Sequence, residues 1–226
     1  MANSKGAGLV AVFANLDHVP YTLVFHPDQG IKTVQDLNGR RFAVVPGITY
    51  WKWIKKEYGI SADEFPLKGD LALFGRSPEM FQQGYSIFLP ARLEDKGIAN
   101  EQIKVSDLGY KPYSTLFTTQ KMIDENPELV QEVVDRLRAA FVKSLNDPKP
   151  TMDLILGKSK KVTPAIHMNA IKLMKDEFLP KDYSKLGCMK TARWEELAGQ
   201  LKEVDVVPSD FDPSTSFNLS FMGNCE

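Results

Sequence analysis

One short segment constrains the fold more than any other, because it joins a strand to a helix through a tight turn. Residues 42–45 form an apolar, β-branched run typical of a strand, and Pro46 and Gly47 end it. Thr49 can cap the helix that follows. The segment therefore favours an α/β fold, and the start of its helix offers backbone N–H groups that suit an anionic or polar ligand group.

Strand patterns cluster in the first half of the chain and helical patterns in the second. Further strands are predicted at residues 9–14, 21–25, 85–89 and 113–118. A short helical turn is predicted after Thr33. Longer helices are predicted to begin at Ser77, Asn126 and Thr163, and another to include Trp194. The helix from Asn126 is the most regular, with apolar residues at three- and four-residue spacing over about 19 residues. Since strands and helices alternate early in the chain, we expect a parallel sheet with crossover connections.

Composition excludes several classes of protein. The 226 residues include 28 Lys and Arg against 29 Asp and Glu, so no excess of positive charge is available to neutralise nucleic-acid phosphates. We therefore expect no nucleic-acid partner. The longest apolar runs, such as residues 8–14, are far shorter than the ~18 residues that span a bilayer. The first residues lack the charged and apolar regions of a signal peptide, so we expect no signal peptide in this chain. Either the chain is cytosolic or whatever lay upstream is absent here.

Cys188 and Cys225 are too isolated for a zinc or thioredoxin-like site, because no CxxC or Cys/His cluster lies near them. Two interpretations stay open at this point. They are either unrelated thiols or the partners of a disulfide that tethers the C-terminal tail. On the loop-entropy model, such a bond would stabilise the fold by about 3.5–4 kcal/mol.

The sequence contains no recognisable catalytic motif. It has no GxSxG elbow, P-loop or GxGxxG, and the spacing of His18, His26 and His167 is not that of a catalytic triad. We therefore expect no enzyme activity, no catalytic residue, no metal and no cofactor.

Aromatic residues just past the Pro-Gly turn form the most informative group. Tyr50 and Trp51 lie in the first turn of the predicted helix, at the carboxyl end of a strand, where open α/β sheets bind their ligands. Each is either a ligand-wall residue or part of the core. Thr49 is either a cap alone or a cap that also contacts ligand, whereas Trp53 and Phe88 are expected in the core.

A second group of polar residues follows the first strand, at an equivalent strand end. It includes His18, although a lone loop histidine more often has a structural role. An aromatic-lined site suits a planar, pyrimidine-like heterocycle through stacking, whereas a sulfonate- or nitrate-type anion would depend on the helix N-terminus. The full set of candidate ligand-binding residues is Asn15, Asp17, His18, Gly47, Thr49, Tyr50, Trp51, Gln83, Tyr85 and Tyr113.

The order of these motifs resembles a known family. The run GIKT at residues 30–33, followed by DLNGR at residues 36–40, is similar to a segment of the periplasmic-type solute-binding proteins of the NMT1/THI5-like group. Residues 82–98 resemble that group's strand-and-helix unit, with Leu89-Pro90 in place of Glu-Pro. Residues 113–148 resemble its return crossing and long helix. The resemblance extends from about Gly8 to Phe221.

The chain departs from the family pattern in two ways. Members normally begin upstream, with a signal sequence and the first strands and helices of lobe 1, so we expect this chain to be an N-terminally truncated or partial member. The enzymes of the family, the pyrimidine synthases of fungal thiamine biosynthesis, carry a cysteine-rich CCCFC-like motif. With only two cysteines, this sequence lacks that motif, and the enzyme alternative loses its main support.

The resemblance implies a type II periplasmic binding protein-like α/β fold with two lobes. Lobe 1, incomplete at its N-terminus, is expected to comprise residues 1–45 and 112–226, and lobe 2 residues 46–111. The ligand would bind in the cleft between them. The implied function is that of the substrate-binding component of an ABC-type importer, a monomer that presents a small organic solute to a permease in the periplasm or another extracytoplasmic space.

Overall fold

The computed structural model describes residues 2–159, 162–223 and 225. Its strands are β1 (Leu9–Leu16), β2 (Tyr21–Phe25), β3 (Arg41–Val44), β4 (Asp63–Pro66), β5 (Met80–Tyr85), β6 (Glu101–Lys104) and β7 (Ser114–Thr119). Its α-helices are α1 (Thr49–Tyr58), α2 (Leu71–Arg76), α3 (Leu89–Glu94), α4 (Gln120–Glu125), α5 (Pro127–Asn146), α6 (Lys149–Lys158), α7 (Pro164–Leu173) and α8 (Thr191–Glu203). Strands thus dominate the first half and helices the second, as the sequence predicts.

Contacts within the chain divide it into two compact units. Unit 2 is the continuous segment Pro20–Tyr110, and unit 1 combines the residues up to Val19 with those from Lys111 onward. This division differs from the expected lobes, which assigned residues 20–45 to the first lobe. The reason is strand pairing, because β2 and β3 form hydrogen-bonded ladders with strands of unit 2.

Unit 2 contains a five-stranded sheet of order β4-β3-β5-β2-β6. Strand β3 is parallel to both β4 and β5, and α1 and α2 form the crossovers between them. Strand β2 is antiparallel to β5 and β6. The sheet is therefore mixed, whereas the sequence pattern favoured a parallel one.

Alternate residues of β5 pack on opposite faces of this sheet. Phe81 stacks on Phe42 of β3, with ring centroids 4.2 Å apart, and also contacts Trp51 of α1. On the opposite face, Met80 packs with Phe74 of α2 and Leu93 of α3. Since side chains alternate along a strand, α1 covers one face and α2 and α3 cover the other.

Unit 1 is built on the antiparallel pair β1 and β7, around which its helices and its C-terminal tail pack. The tail is fastened to β1, because the N–H of Asn218 donates to the carbonyl of Ala11 at 2.9 Å. Arg138 of α5 holds the same region by donating to the carbonyl of Met222 at 2.6 Å. Cys188 and Cys225 form a disulfide with their Cα atoms 5.7 Å apart. Of the two interpretations left open by the sequence, the structure thus has the disulfide that tethers the C-terminal tail.

Two local predictions were wrong. Ser77 does not begin a helix but lies at the turn before β5, because Asp70 caps α2 earlier by accepting from the N–H groups of Ala72 and Leu73. The strand expected at residues 85–89 lies earlier, at β5, where it pairs with β2 and β3 on its two edges. Within the described residues, no helix combines the length and hydropathy needed to cross a membrane.

Candidate functional site

The strand–turn–helix segment that the sequence singled out has the predicted course. Strand β3 ends at Val44, Gly47 adopts a positive φ of 77° that suits glycine, and α1 begins at Thr49. The N-cap residue is Ile48 rather than Thr49, and its apolar side chain makes no capping hydrogen bond. The first N–H groups of α1 therefore lack a side-chain cap, which leaves them available to a polar ligand group.

Thr49 was predicted to cap the helix, but its side chain bonds to another residue instead. Its hydroxyl is 2.9 Å from the hydroxyl of Tyr110, which lies at the end of unit 2. Burial raises the pKa of Tyr110 to about 12, so this tyrosine stays neutral at physiological pH. Thr49 thus ties the start of α1 to the last residue of its unit instead of capping the helix.

Tyr50 and Trp51 lie in the core of unit 2, although they differ in their polar atoms. Trp51 is only 2% exposed, packs on Phe42, and donates from its Nε1 to Glu64 Oε1 at 2.9 Å. It therefore has the contacts of a core tryptophan. Tyr50 is fully buried, and its hydroxyl finds no hydrogen-bond partner among the described residues.

Tyr50 belongs to a group of tyrosines that reaches the surface of unit 2. Its ring centroid lies 4.8 Å from that of Tyr21, and Tyr21 in turn stacks on Tyr85 at 5.6 Å. Tyr85 is 47% exposed. Burial raises the pKa of Tyr50 well above its usual value, with a further contribution from the neighbouring tyrosines. The three residues form a continuous aromatic surface from the core to solvent, and the innermost hydroxyl is protonated.

Gln83 lies where β5 approaches the end of β3. Its side-chain oxygen accepts from the N–H of Val45 at 2.9 Å, which fixes the residue just before the Pro-Gly turn. Both residues, together with Tyr85, line a pocket of about 230 Å³ at the carboxyl ends of these strands. Gln83 and Tyr85 were predicted site residues, and the structure brings them together there.

The candidates in unit 1 form a separate group around Asp17. Arg193 of α8 donates from Nη1 to Asp17 Oδ1 at 2.7 Å, and His18 Nδ1 donates to the other carboxylate oxygen at 3.1 Å. The hydrogen bond from His18, followed by the positive charge of Arg193, lowers the pKa of Asp17. The ring of His18 also packs on Phe178, with centroids 4.6 Å apart.

Tyr113 lies close to the same arginine, because the Arg193 guanidinium is 4.0 Å from the centroid of the Tyr113 ring. The Tyr113 hydroxyl accepts from the N–H of Lys190 at 3.1 Å. Asp17 and Tyr113 line a pocket of about 410 Å³ in unit 1, and the disulfide forms part of its wall. Asn15 is half-buried on β1.

Sequence reasoning missed several of these residues. Arg193 is 176 positions from Asp17, so no local pattern could pair them. Tyr21 opens a strand that the sequence predicts, but its ladder partner Tyr85 is found only in the structure. Within the described ranges, His, Cys, Asp and Glu side chains form no group of three that could hold a metal ion.

Comparison with known proteins places the chain in a family. A family model described as NMT1/THI5 like matches residues 1–151, well over half of the chain. The chain belongs to the NMT1/THI5-like family. The resemblance noted in the sequence is thus confirmed. No curated protein sequence matches this NMT1/THI5-like chain.

Solved structures show what fold this NMT1/THI5-like chain has. The periplasmic aliphatic sulphonate binding protein SsuA from Escherichia coli is similar with a TM-score of 0.72 at 15% identity, over 95% of this chain and 70% of that one. The alkanesulfonate-binding SsuA from Xanthomonas axonopodis pv. citri, bound to MOPS, gives 0.66 at 15% identity, over 97% and 76%. A Candida albicans protein with the generic periplasmic binding protein fold gives 0.61 at 13%, over 95% and 74%. The predicted periplasmic binding protein-like fold is confirmed.

Proposed function

We propose that this chain is the solute-binding component of an ABC-type importer and captures a small organic solute. Membership of the NMT1/THI5-like family supports this role, as does a fold similar to that of two SsuA proteins whose names state that they bind sulfonates. The observation that carries the proposal is the surface at the carboxyl ends of β3 and β5. An uncapped helix N-terminus and an exposed aromatic ring lie there, and an unpartnered tyrosine hydroxyl is buried in the same unit.

Each of these features could contribute to ligand binding in its own way. A buried hydroxyl without a partner costs about 1–3 kcal/mol, and a polar ligand atom that reached Tyr50 would remove that cost. The exposed ring of Tyr85, held by stacking on Tyr21, offers a flat apolar surface for a planar or aliphatic group. The N–H groups of α1 add partial positive charge.

The disulfide supports an extracytoplasmic location, because such bonds persist in oxidising compartments. We propose that the protein works there as a monomer with a permease as its partner. The pyrimidine-synthase alternative has less support, since the only two cysteines of the chain are both in the disulfide and neither presents a free thiol.

Thermal unfolding tests the proposal. The panel consists of pyrimidines, thiamine precursors, riboflavin, alkanesulfonates and nitrate, with sodium chloride as the control for ionic strength. A ligand at 100 times its Kd adds about 2.7 kcal/mol, which for a chain of this size corresponds to a rise in Tm of about 5–11 °C. If a folded sample shows no shift with any compound, the proposed function is wrong.

A pair of variants locates the binding. Tyr85→Ala should reduce the ligand-induced rise in Tm, because it removes the exposed end of the aromatic surface. The matched control is Phe117→Ala, which removes a 58% exposed aromatic ring from unit 1 and should leave the rise unchanged. Equal effects of the two variants would contradict a site at the strand ends of unit 2.

A further inference from the structure

The disulfide between Cys188 and Cys225 borders a pocket as well as joining two segments of unit 1. Both cysteines line the pocket of about 410 Å³, and both are only half-buried. The volume lies within the ~300–1,000 Å³ that is typical of sites for small molecules. A small molecule in this pocket therefore has room to reach the two sulfur atoms while unit 1 stays folded.

The two cysteines differ in how firmly their backbone is held. Cys188 follows Gly187, whose carbonyl accepts from the N–H of Ala14 in β1 at 3.0 Å. Cys225 lies in the C-terminal tail beyond Met222, and no backbone hydrogen bond joins the described residues after Met222 to the rest of the unit. Movement of the tail can therefore make room for a group added to Cys225, whereas a group added to Cys188 would have to fit into a fixed wall.

Positive charge lies on the Cys188 side of the bond. Lys185 and Lys190 line the same pocket, and the N–H of Cys188 donates to the carbonyl of Lys185 at 3.2 Å. Of the two carboxylates in the pocket wall, that of Asp17 is already paired with Arg193 at 2.7 Å. Nearby positive charge stabilises a thiolate, so Cys188 is the better leaving group of the two sulfurs.

We propose that this disulfide is an exchange site for small-molecule thiols, which enter the pocket and become bound to Cys225. The incoming thiol loses its proton to solvent, and its thiolate attacks Cys225 Sγ to form a new S–S bond. The bond between the two protein sulfurs breaks, and its electron pair leaves with Cys188 Sγ, which then takes up a proton. The incoming thiol is thus oxidised and Cys188 is reduced.

The product has a tail that is no longer tethered and carries the added group. Because attack by the Cys188 thiolate restores the original bond and releases the small thiol, the modification is reversible. The site belongs to unit 1 alone, so the proposal does not depend on the ligand proposed for unit 2.

Incubation of the native full chain with N-acetylcysteine tests the proposal. At early times and without denaturant, free thiols are blocked with N-ethylmaleimide, and peptide mass spectrometry locates both groups. N-acetylcysteine should be found on Cys225 and the maleimide on Cys188. An equal or larger share of N-acetylcysteine on Cys188 would overturn the proposal.

The rate of exchange shows whether the folded chain reacts. It should lie within about a hundredfold of the rate in unfolding concentrations of urea, because the thiol reaches the sulfurs through the pocket. An exchange that had to wait for global unfolding would be slower by about a thousandfold or more, since so little of the chain is unfolded at any time. Any rate below the hundredfold limit would overturn the proposal.

A variant with Lys185→Gln and Lys190→Gln tests the role of Cys188 as the leaving group. Both lysines are exposed, so the fold should persist, which circular dichroism checks. Exchange should slow by about threefold or more, because the departing thiolate loses nearby positive charge. The matched control is Lys181→Gln, which removes an exposed lysine outside the pocket wall and should leave the rate unchanged. Equal rates for the double variant and the native chain would overturn the assignment of Cys188.

Discussion

The disulfide between Cys188 and Cys225 permits a prediction with a worked magnitude. Replacing both residues with serine removes a bond that closes a loop with a sequence separation of 37. In the chain-entropy model, this frees the unfolded chain by about 13 cal/mol/K, so the free energy of unfolding should fall by about 3.9 kcal/mol at 25 °C. For a chain of this size, that loss lowers Tm by about 8–15 °C.

Urea unfolding followed by circular dichroism measures this loss for the double variant against the native chain. Adding a reductant to the native chain should reproduce the effect, and adding it to the variant should change nothing. The chain-entropy model places the loss in the unfolded state, so the native hydrogen bond from Arg138 to the carbonyl of Met222 is expected to remain in the variant. A loss below about 1 kcal/mol would refute the reasoning, because the disulfide would then restrict the unfolded chain far less than the chain-entropy model requires.

Two other predictions concern the polar groups of the two units. Tyr50→Phe should raise the free energy of unfolding without ligand by about 1 kcal/mol or more, because it removes a buried hydroxyl that has no partner among the described residues. Tyr110→Phe should instead lower it by about 1 kcal/mol, because it removes the hydrogen bond to Thr49. Urea unfolding midpoints measure both changes, and equal losses of stability would contradict the assignment for Tyr50. The lowered pKa of Asp17 means that its ionised form stabilises the fold above its unfolded pKa of about 3.9, and that this stabilisation is lost as the pH falls through the lower folded value. Asp17→Asn should therefore reduce stability at pH 7 but not at about pH 2, and a reduction that persists in acid would be evidence against this linkage.

Local patterns predicted the elements whose cause is local. The exact strand Tyr21–Phe25 follows from its β-branched and aromatic residues, and α5 begins at Pro127 because proline suits the first helical position. The turn after Thr33 also follows from nearby residues, since Asp36 accepts from the N–H groups of Lys32 and Thr33. These features depend on residues only a few positions apart, so a single sequence contains the necessary information.

Features set by distant partners were not predictable in the same way. Strand β2 pairs with β5 and β6, which no local pattern shows, so the expected lobes divide the chain differently from its internal contacts. Whether Trp51 is core or ligand wall depends on Phe42, Phe81 and Glu64, none of which its own helix reveals. The pair of Asp17 and Arg193 joins opposite ends of the chain.

The sequence indicated the region of the candidate site but not all of its residues. Gly47 follows from its position at the end of a predicted strand, whereas the ends of β5, where Gln83 and Tyr85 lie, were predicted only to within a few residues. Gln82 and Arg92, which line the pocket of about 230 Å³ together with Gln83 and Tyr85, were not predicted, because a glutamine in an apolar strand and an arginine in a short helix look ordinary in sequence. Their interest comes from the pocket that they share.

The course of the chain through its two units has a consequence for biosynthesis. Unit 2 is continuous, whereas β1 of unit 1 pairs with β7. Leu9 therefore cannot pair until Thr119 has been synthesised. During translation, all of unit 2 is therefore synthesised while β1 still lacks its partner strand. Unpaired strand edges promote aggregation, so the nascent chain is at greatest risk before β7 leaves the ribosome. Early folding of unit 2 shortens the effective loop between β1 and β7 and thereby lowers the entropy that their pairing costs.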